Sequence, residues 1–346
     1  KTFIRTHDGL QADLRVLEPA RWGTALQYFT GSQAHNIHLR GLALERGFSL
    51  SEYALKKEDG SEILCATEAE VYETLGLPLI PPELREDRGE IEAALAGRLP
   101  DLIELGDLQG DLQFHTTWSD GRNSLLEMAQ AAHARGLKYA LVTDHSRSLG
   151  VTGGLTVERL REQRAEIAEV NRRMGGKFRL LAGVEVEIRA DGTLDLPEDA
   201  LAELDLVVAA VHSALRQSRE QVTARLLAAI RNPHVDIIAH PTGRLLGERE
   251  GADVDMEAVF RAAAETGVAL EINAHPSRLD LNDVLVRRAV ELGVKLAINS
   301  DAHGTGGFDV LPFGVATARR GWARAGDVVN TWNVKKLLDW AARRSG

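Results

Sequence analysis

Histidine and acidic side chains recur in this sequence directly after short apolar runs, with a spacing that could assemble a metal site. The first such stretch covers residues 111–121, where alternation along a strand places Gln113 and His115 on one face and Asp120 in the following turn. Comparable groups follow five later apolar runs: Asp144 with His145, Glu185, His212, His240, and Asp301 with His303. A single histidine in such a place is usually a core or surface residue. The repeated series instead predicts that these side chains share one site.

The segments that must position these residues alternate between strand and helix patterns after about residue 100. Seven apolar runs are predicted strands: 109–115, 139–143, 179–187, 206–211, 236–239, 268–272 and 295–299. Helical spacing of apolar residues appears between several of them, at 125–135, 157–174, 221–230, 256–265 and 284–292. This order predicts an α/β fold with a distorted seven-stranded parallel barrel, in which ligands gather at the C-terminal strand ends.

Length and composition set the class of protein. The chain has 346 residues and 44% hydrophobic content, enough for two domains or for one barrel with an appendage. A net charge of −10 disfavours a protein that coats nucleic acid without specificity. No apolar run reaches membrane-spanning length, and the single Cys65 fits a reducing compartment, so we expect a cytoplasmic protein. The first residues begin in mid-pattern, which suggests a portion of a longer protein.

The N-terminal segment carries a different set of motifs. Asp8-Gly9 predicts a hairpin turn within residues 8–18, with Asp13 on the face opposite Ala12 and Leu14. Residues 34–46 have helical spacing, with an inward face of apolar residues: Ile37, Leu39, Leu42 and Ala43. The sequence therefore predicts a small α+β module before the barrel.

Within this module, Asp13, the run from Tyr28 through Gly31-Ser32, and the pair Asn36 and Arg40 resemble the last palm strand and thumb of family-X DNA polymerases. The resemblance implies that Asp13 is a catalytic carboxylate of nucleotidyl transfer. It also implies a set of nucleotide and DNA contacts: Tyr28, Phe29, Gly31, Ser32, Asn36 and Arg40. The family's other two carboxylates and its triphosphate site lie upstream, so this segment alone is not expected to polymerise.

The same resemblance predicts the organisation of the chain. Residues 1–28 would end a palm, 29–75 would form a thumb, 76–99 a linker, and 100–346 the barrel. The expected partners are DNA with gaps or 3′ ends, a deoxynucleotide at the thumb, and the upstream palm and fingers of the same protein. No membrane partner is expected.

The order of motifs between residues 109 and 305 resembles the PHP superfamily, the polymerase and histidinol phosphatase group of metal-dependent phosphoesterases. The resemblance implies up to three divalent ions, with Glu185 bridging two of them. It assigns the other ligands in three sets: His115 with Asp301, His212 with His240, and Asp120 with His145 and His303. Imidazole and carboxylate ligands favour Mn²⁺, with Zn²⁺ or Fe²⁺ as alternatives. Asp144 is expected to orient a histidine.

One position departs from the PHP pattern. Gln113 stands where the family usually has histidine, and an amide oxygen is a weak ligand, so we expect the first ion to be loosely held unless Asp111 compensates. Arg278 is predicted either to contact phosphate or to pair with Asp280. His275 is predicted to be a substrate contact or a bystander, but not a ligand.

These features together predict a metal-dependent 3′-5′ exonuclease acting on DNA, as part of a bacterial family-X repair polymerase. Glu185, Asp301 and His115 are the residues expected to carry the hydrolytic reaction. Two other hypotheses remain open. One is a catalytically weakened barrel that positions DNA or supports the polymerase, which the glutamine at position 113 favours. The other is a PHP phosphomonoesterase, which the attached thumb disfavours.

Overall fold

The structure of the protein is a computed structural model, which describes residues 2–148, 150 and 152–344. The chain divides into two compact units, Lys1–Pro100 and Asp101–Gly346. The expected finer division of the first unit into palm end, thumb and linker stays a prediction.

The first unit is a small α+β assembly. Its strands and helices, in chain order, are β1 (Thr2–Arg5), β2 (Gln11–Leu14), α1 (Trp22–Thr30), α2 (Gln33–Glu45), β3 (Phe48–Leu50), β4 (Leu55–Lys57), β5 (Glu62–Ile63), α3 (Glu68–Thr74) and α4 (Glu90–Leu95). The predicted hairpin is present: β1 and β2 are antiparallel, with Phe3 opposite Asp13, and Gly9 in the turn has a φ of 90°. β3, β4 and β5 form a second antiparallel sheet.

Helix α2 buries a different face from the one the sequence predicted. Leu39 and Ala43 are buried as expected, but Ile37 is 64% exposed, so its predicted inward position was wrong. The buried stripe begins instead at His35, four residues before Leu39, because positions four apart lie on one side of a helix. A polar residue at the start of this stripe is tolerated because both of its ring nitrogens have partners.

Residues 76–99, which we expected to form a linker, pack within the first unit. Ile80, Leu84 and Ile91 are buried. The buried Glu90 at the start of α4 contacts His35 of α2, with 2.6 Å between Oε1 and Nδ1. Cys65 is also buried and makes no disulfide.

The second unit contains the barrel. Its elements are β6 (Gly110–Phe114), α5 (Leu125–Ala134), β7 (Tyr139–Val142), α6 (Val157–Met174), β8 (Arg179–Ala182), β9 (Glu185–Glu187), α7 (Glu198–Leu201), β10 (Val208–Ala210), α8 (Arg219–Arg231), β11 (Ile237–Ile238), α9 (Met256–Thr266), β12 (Ala269–Asn273), α10 (Asp283–Glu291), β13 (Lys295–Asn299), α11 (Leu311–Arg320) and α12 (Val334–Arg344). The strands pair in parallel in two sheets, β6-β7-β8 and β9-β10-β11-β12-β13.

Two features turn these sheets into the predicted distorted seven-stranded barrel. The run predicted as one strand at 179–187 is broken into β8 and β9 at Gly183, where an added Cβ would lie 2.7 Å from Leu141 Cδ1. At the other junction the backbone after β13 returns to β6. Asp301 N donates to Gln113 O at 3.0 Å, and His115 N donates to Ala302 O at 2.8 Å. The ring is therefore closed at the strand ends that carry the candidate ligands.

Strand alternation divides the core of this unit between the inside and the outside of the barrel. Tyr139 and Leu141 point into an inner cluster, which Leu337 and Ala341 of α12 complete. Ala140 and Val142 point outward into the larger cluster between the strands and the surrounding helices. In the part of the chain that the structure describes, no helix has the length and hydropathy to cross a membrane.

Candidate metal centre

The candidate ligands converge at the C-terminal ends of the barrel strands, as the sequence predicted. Two groups have ligand atoms that all lie within 4.8 Å of one another. The first group is His115, Asp120, His145 and His303, and the second is His145, Glu185 and His212. Because His145 belongs to both, the two groups form one continuous cluster.

Glu185, at the start of β9, lies at the centre of the cluster. Its Oε1 atom is 3.3 Å from His212 Nε2 and 3.0 Å from His240 Nε2. Its Oε2 atom is 3.1 Å from His145 Nδ1 and 3.4 Å from His115 Nε2. Each oxygen thus faces two imidazoles, which is the arrangement that a carboxylate bridging two ions requires.

Asp301, Asp120 and His303 occupy the side of the cluster next to β6. Asp301 Oδ1 lies 3.1 Å from His115 Nε2. Asp120 Oδ1 is 3.5 Å from His303 Nε2, and its other oxygen is 3.5 Å from His145 Nε2. The eight predicted histidine and acidic ligands are therefore in one place, although their assignment to separate ions stays a prediction.

Several of these buried polar atoms lack hydrogen-bond partners. They are both ring nitrogens of His115, Oε2 of Glu185 and Nδ1 of His240. Buried polar groups are normally hydrogen-bonded, and leaving one unpaired costs about 1–3 kcal/mol. Nitrogen and carboxylate oxygen atoms that face one another without hydrogen-bond geometry fit a divalent cation held between them.

Mutual charge pairing raises the pKa of three of the histidines. Burial alone would lower the pKa of His145, but Glu185 and Asp120 outweigh it and raise the pKa to about 10. Burial is likewise outweighed at His212, mainly by Glu185, and at His303, mainly by Asp120, so both pKa values rise to about 9. Without metal, these imidazoles therefore carry protons at neutral pH.

The pKa values of Glu185 and His240 are instead lowered. Burial would raise the pKa of the Glu185 carboxyl, but the adjacent His212 and His145 hold it well below its ordinary range. Burial, reinforced by the positive charge of Arg278, lowers the pKa of His240 to about 4. His240 is therefore ready to donate a lone pair at neutral pH without losing a proton.

Two candidate ligands have unusual backbone conformations. His240 has a φ of 27° and Asp301 a φ of 54°. Residues other than glycine rarely adopt positive φ, at a cost of about 1–3 kcal/mol, and such strain clusters at functional sites. At His240 the conformation is supported by Glu271, whose Oε2 accepts the His240 backbone N–H at 2.7 Å.

Gln113 lies beneath the cluster and is fully buried. Neither the oxygen nor the nitrogen of its side-chain amide has a hydrogen-bond partner. Asp111, which we considered as a compensating ligand, instead accepts backbone N–H groups of Gln113 and Ser300, at 3.1 and 3.2 Å. Through these two bonds the Asp111 carboxyl supports the strand ends, and burial raises its pKa to about 7.

The predicted role of Asp144 was wrong in detail, and a neighbouring acid was missed. Among the described residues, the Asp144 carboxylate has no hydrogen bond to a histidine, and it accepts bonds from the hydroxyls of Thr116 and Ser119, at 2.6 Å each. It therefore fixes the loop that leads to Asp120. The acid that orients a histidine is Glu187, whose Oε2 lies 2.8 Å from His212 Nδ1. The signal was its position on β9, two residues after Glu185 and hence on the same strand face.

Arg278 and His275 both lie near the cluster. Arg278 Nε is 3.7 Å from Asp301 Oδ2. The alternative pairing of Arg278 with Asp280 is not formed, because Asp280 is buried and accepts from Thr242 at 2.9 Å. His275 is exposed and its Nδ1 lies 2.8 Å from Ser277 Oγ.

The residues predicted to contact nucleotide and DNA lie on α1, on α2 and in the turn between them. Tyr28 and Phe29 meet edge to face, with 5.1 Å between ring centroids, and Phe29 is 51% exposed. Asp13 lies on β2 and lines a cavity of about 410 Å³ together with Phe29. The arrangement brings the predicted carboxylate beside the predicted aromatic contact.

Other residues predicted to contact nucleotide or DNA make contacts that stabilise the first unit. Gly31 has a φ of 72°, and the Ser32 hydroxyl caps α2 by accepting from His35 N at 3.3 Å. Asn36 uses its amide to donate to Tyr28 O at 2.7 Å. Arg40 is exposed one turn further along α2. Their contacts to nucleotide or DNA remain predictions.

Comparison with known families identifies both units. The family model for the PHP domain matches residues 111–275, and the model for the DNA polymerase beta thumb matches residues 25–86. A probable phosphatase of Thermoanaerobacter sp. (strain X514) is 34% identical over 221 residues, which cover 58% of this chain and 82% of that protein. The chain therefore belongs to the PHP domain family.

A second relative covers both units. DNA polymerase/3′-5′ exonuclease PolX of Bacillus subtilis (strain 168) is 45% identical over 326 residues, which are 94% of this chain and 57% of that protein. The chain thus spans a little over half the length of this relative and is similar to the C-terminal portion of a family-X polymerase. A histidinol phosphate phosphatase structure from Lactococcus lactis has a TM-score of 0.47 at 16% identity, covering 62% of this chain and 93% of that one.

Proposed function

We propose that this chain is the hydrolytic portion of a family-X DNA polymerase and removes nucleotides from the 3′ ends of DNA. The proposal rests above all on the cluster around Glu185, where four imidazoles face one buried carboxylate. Support for a DNA substrate comes from the thumb in the same chain and from the name of the Bacillus subtilis relative. A cytoplasmic location accords with such a role.

We propose Mn²⁺ as the bound ion, with Zn²⁺ or Fe²⁺ as alternatives, and imidazole nitrogens and carboxylate oxygens without sulfur support a divalent ion of this group. His115, His145, His212, His240, His303, Asp120, Glu185 and Asp301 would hold up to three ions. Bound divalent ions lower the pKa of water toward neutrality and polarise phosphoryl oxygens. We propose Gln113 as a weak additional ligand through its unpaired amide oxygen.

The chain's own residues would prepare the site for hydrolysis. Glu187 holds the Nδ1 edge of His212, so that Nε2 points toward Glu185. Arg278 would neutralise phosphate oxygens beside Asp301, which it already contacts. The burial of His115, Glu185 and His240 keeps solvent away from the ligand atoms and strengthens their electrostatic interactions.

The proposal is tested with Mn²⁺ and a single-stranded oligonucleotide labelled at its 5′ end. Wild type is expected to shorten the strand from its 3′ end, and both His115→Ala and Asp301→Ala are expected to abolish shortening. Glu203→Gln, which removes an acid bound to Arg161 outside the site, is the control and should keep full activity. Unchanged shortening by both site variants would reject the assigned centre.

A phosphomonoesterase is the second candidate, because the Thermoanaerobacter relative is called a probable phosphatase. It predicts rapid hydrolysis of p-nitrophenyl phosphate and no shortening of DNA. The exonuclease proposal instead predicts shortening of DNA and little hydrolysis of p-nitrophenyl phosphate. Wild-type rates with the two substrates under the same Mn²⁺ concentration therefore separate the readings.

A further inference from the structure

A cavity of about 540 Å³ opens beside the candidate metal centre. It shares Asp301 and His303 with that centre, and it is also lined by Arg122, Asn123 and the glycine-rich residues 304–307. Neither Arg122 nor these neighbouring residues belong to the predicted ligand set. The cavity is thus an extension of the site toward solvent.

Backbone contacts hold Arg122 at the edge of the metal centre. Its N–H donates to His303 O at 2.8 Å. The next residue, Asn123, accepts from Thr117 N through its backbone oxygen at 3.0 Å and from Thr305 N through Oδ1 at 3.2 Å. The segment is therefore bonded both to the loop before Asp120 and to the loop after His303.

The side chain of Arg122 lies against the loop at Gly304. A Cβ built on Gly304 would lie 3.9 Å from Arg122 Cβ and 4.0 Å from Cδ, so the aliphatic part of the side chain runs along this loop. The same Cβ would lie 3.4 Å from Asn123 Oδ1. The glycine-rich loop and Arg122 form one continuous wall.

The charge of Arg122 is not used within the protein. Its side chain is exposed and has no hydrogen bond or ion pair with any residue that the structure describes. Nearby arginines differ: Arg278 contacts Asp301, and Arg159 donates to Trp118 O at 2.7 Å. A planar guanidinium with unused donors is well suited to bind a phosphate through two parallel hydrogen bonds.

We propose that Arg122 binds a second phosphate of the substrate, one internucleotide linkage away from the phosphate that is hydrolysed. The inference rests on the proposed nuclease function and specifies its substrate class as a strand with at least two consecutive phosphodiesters. Arg278 and the ions suffice for one phosphate. The guanidinium of Arg122, which lines the cavity beside His303, contributes only when the substrate carries another.

The kinetic test compares thymidine oligonucleotides with one and with two phosphodiesters. Wild type is expected to cleave the trinucleotide with a kcat/KM about tenfold higher than that of the dinucleotide, the effect of one charge-assisted contact. Arg122→Ala should bring this ratio close to one, and Arg122→Lys should restore part of it. Arg179→Ala, which removes an exposed arginine at the opposite end of strand β8, should keep the wild-type ratio.

A binding test avoids dependence on turnover. Anisotropy of a labelled thymidine oligonucleotide, measured in EDTA at several salt concentrations, should show weaker binding by Arg122→Ala. The slope of log K against log salt should fall by about 0.7, the value for one phosphate contact on a single strand. Arg179→Ala should retain the wild-type slope.

The possible results separate the two levels of the proposal. If wild type cleaves neither oligonucleotide and shortens no DNA, the nuclease function fails. If wild type shortens DNA but Arg122→Ala keeps both the wild-type ratio and the wild-type salt slope, the second-phosphate contact is rejected while the nuclease function stands. An equal loss on both oligonucleotides would also reject it, because Arg122 would then act on the hydrolysed phosphate.

Discussion

Two buried histidines, one in each unit, show how the same side chain serves different purposes. His35 in the first unit has both ring nitrogens bonded, Nδ1 to Glu90 at 2.6 Å and Nε2 to the Tyr72 hydroxyl at 2.9 Å. His115 in the barrel is equally buried, yet neither of its nitrogens has a hydrogen-bond partner. Both lie close to carboxylates, so proximity to an acid does not separate them.

The two histidines differ in whether their ring nitrogens are hydrogen-bonded, and this difference indicates their roles. The His35 contacts tie α2 to α3 and α4, and a saturated polar network of this kind stabilises one packing arrangement. His115 Nε2 faces Asp301 and Glu185, and Nδ1 faces Asp120. Neither nitrogen is hydrogen-bonded, which leaves a lone pair for a metal ion. We therefore infer a structural role for His35 and a metal-binding role for His115.

Replacing each histidine by glutamine should sharpen this contrast, and the barrel variant is expected to have the larger effect. His115→Gln should lower Mn²⁺-dependent DNA shortening on the order of 10³-fold, because losing a metal ligand removes several kcal/mol of transition-state stabilisation. The metal-free free energy of unfolding should change by less than about 1 kcal/mol, since no hydrogen bond is lost. Exonuclease rates and urea titration in EDTA measure the two effects.

His35→Gln should have the reverse pattern. Glu90 and Tyr72 would lose well-placed partners in a buried site, so the first unit should lose about 2–3 kcal/mol of stability. Hydrogen exchange of α2 and α3 amides would report this loss. Hydrolysis of a small phosphodiester by the barrel should continue at the wild-type rate. A stable first unit in this variant would mean that hydrogen-bond completeness does not distinguish the two histidines.

The barrel and its ligands were predictable because both depend on the spacing of apolar residues and on which residues follow each apolar run. Apolar runs identify the strands, and a parallel barrel brings residues that follow them to one end, so His145, His212 and His240 meet although they are far apart in sequence. The exact ends of the strands could not be predicted from this spacing. At Gly183, where the predicted strand divides into β8 and β9, a Cβ would lie 2.7 Å from Leu141 Cδ1 on the neighbouring strand, a close approach that no local pattern reveals.

Errors arose where a side chain had several possible partners. Asp144 precedes His145 directly, yet adjacent strand residues point to opposite sides, and its carboxylate bonds the loop of Thr116 and Ser119 instead. In α2, helical spacing allowed Ile37 to face inward, but the stripe through His35 is buried because Glu90 and Tyr72 satisfy it. Partners distant in sequence decided both outcomes.

Replacing Glu187 is expected to have an effect of intermediate size, because Glu187 bonds a candidate ligand without belonging to the ligand set. Glu187→Gln keeps the size of the side chain but removes the charge that holds His212 Nδ1. We expect Mn²⁺ affinity to fall about tenfold, the lower end of the range for residues that orient ligands. Calorimetric titration would measure it, with Glu203→Gln as a charge-matched control. Equal affinity in the two variants would show that His212 needs no orientation.

The smallest effect expected is a dependence of Mn²⁺ affinity on pH, which arises from the barrel site. The pKa values of His145, His212 and His303 are raised to about 10, 9 and 9 from an ordinary value of 6.5, so metal-free protein holds these protons at pH 7. Metal must displace them, and apparent Mn²⁺ affinity should therefore rise with pH until about pH 10.

The same shifts set the stability of the metal-free barrel. Because the folded pKa values are raised, the imidazolium groups stabilise the fold fully below about pH 6.5, and this contribution disappears as pH rises through about 9 to 10. An indicator dye should detect proton release on adding Mn²⁺ at pH 7 to wild type and to His35→Gln alike. Binding of Mn²⁺ without proton release would contradict the charged state assigned to these three histidines.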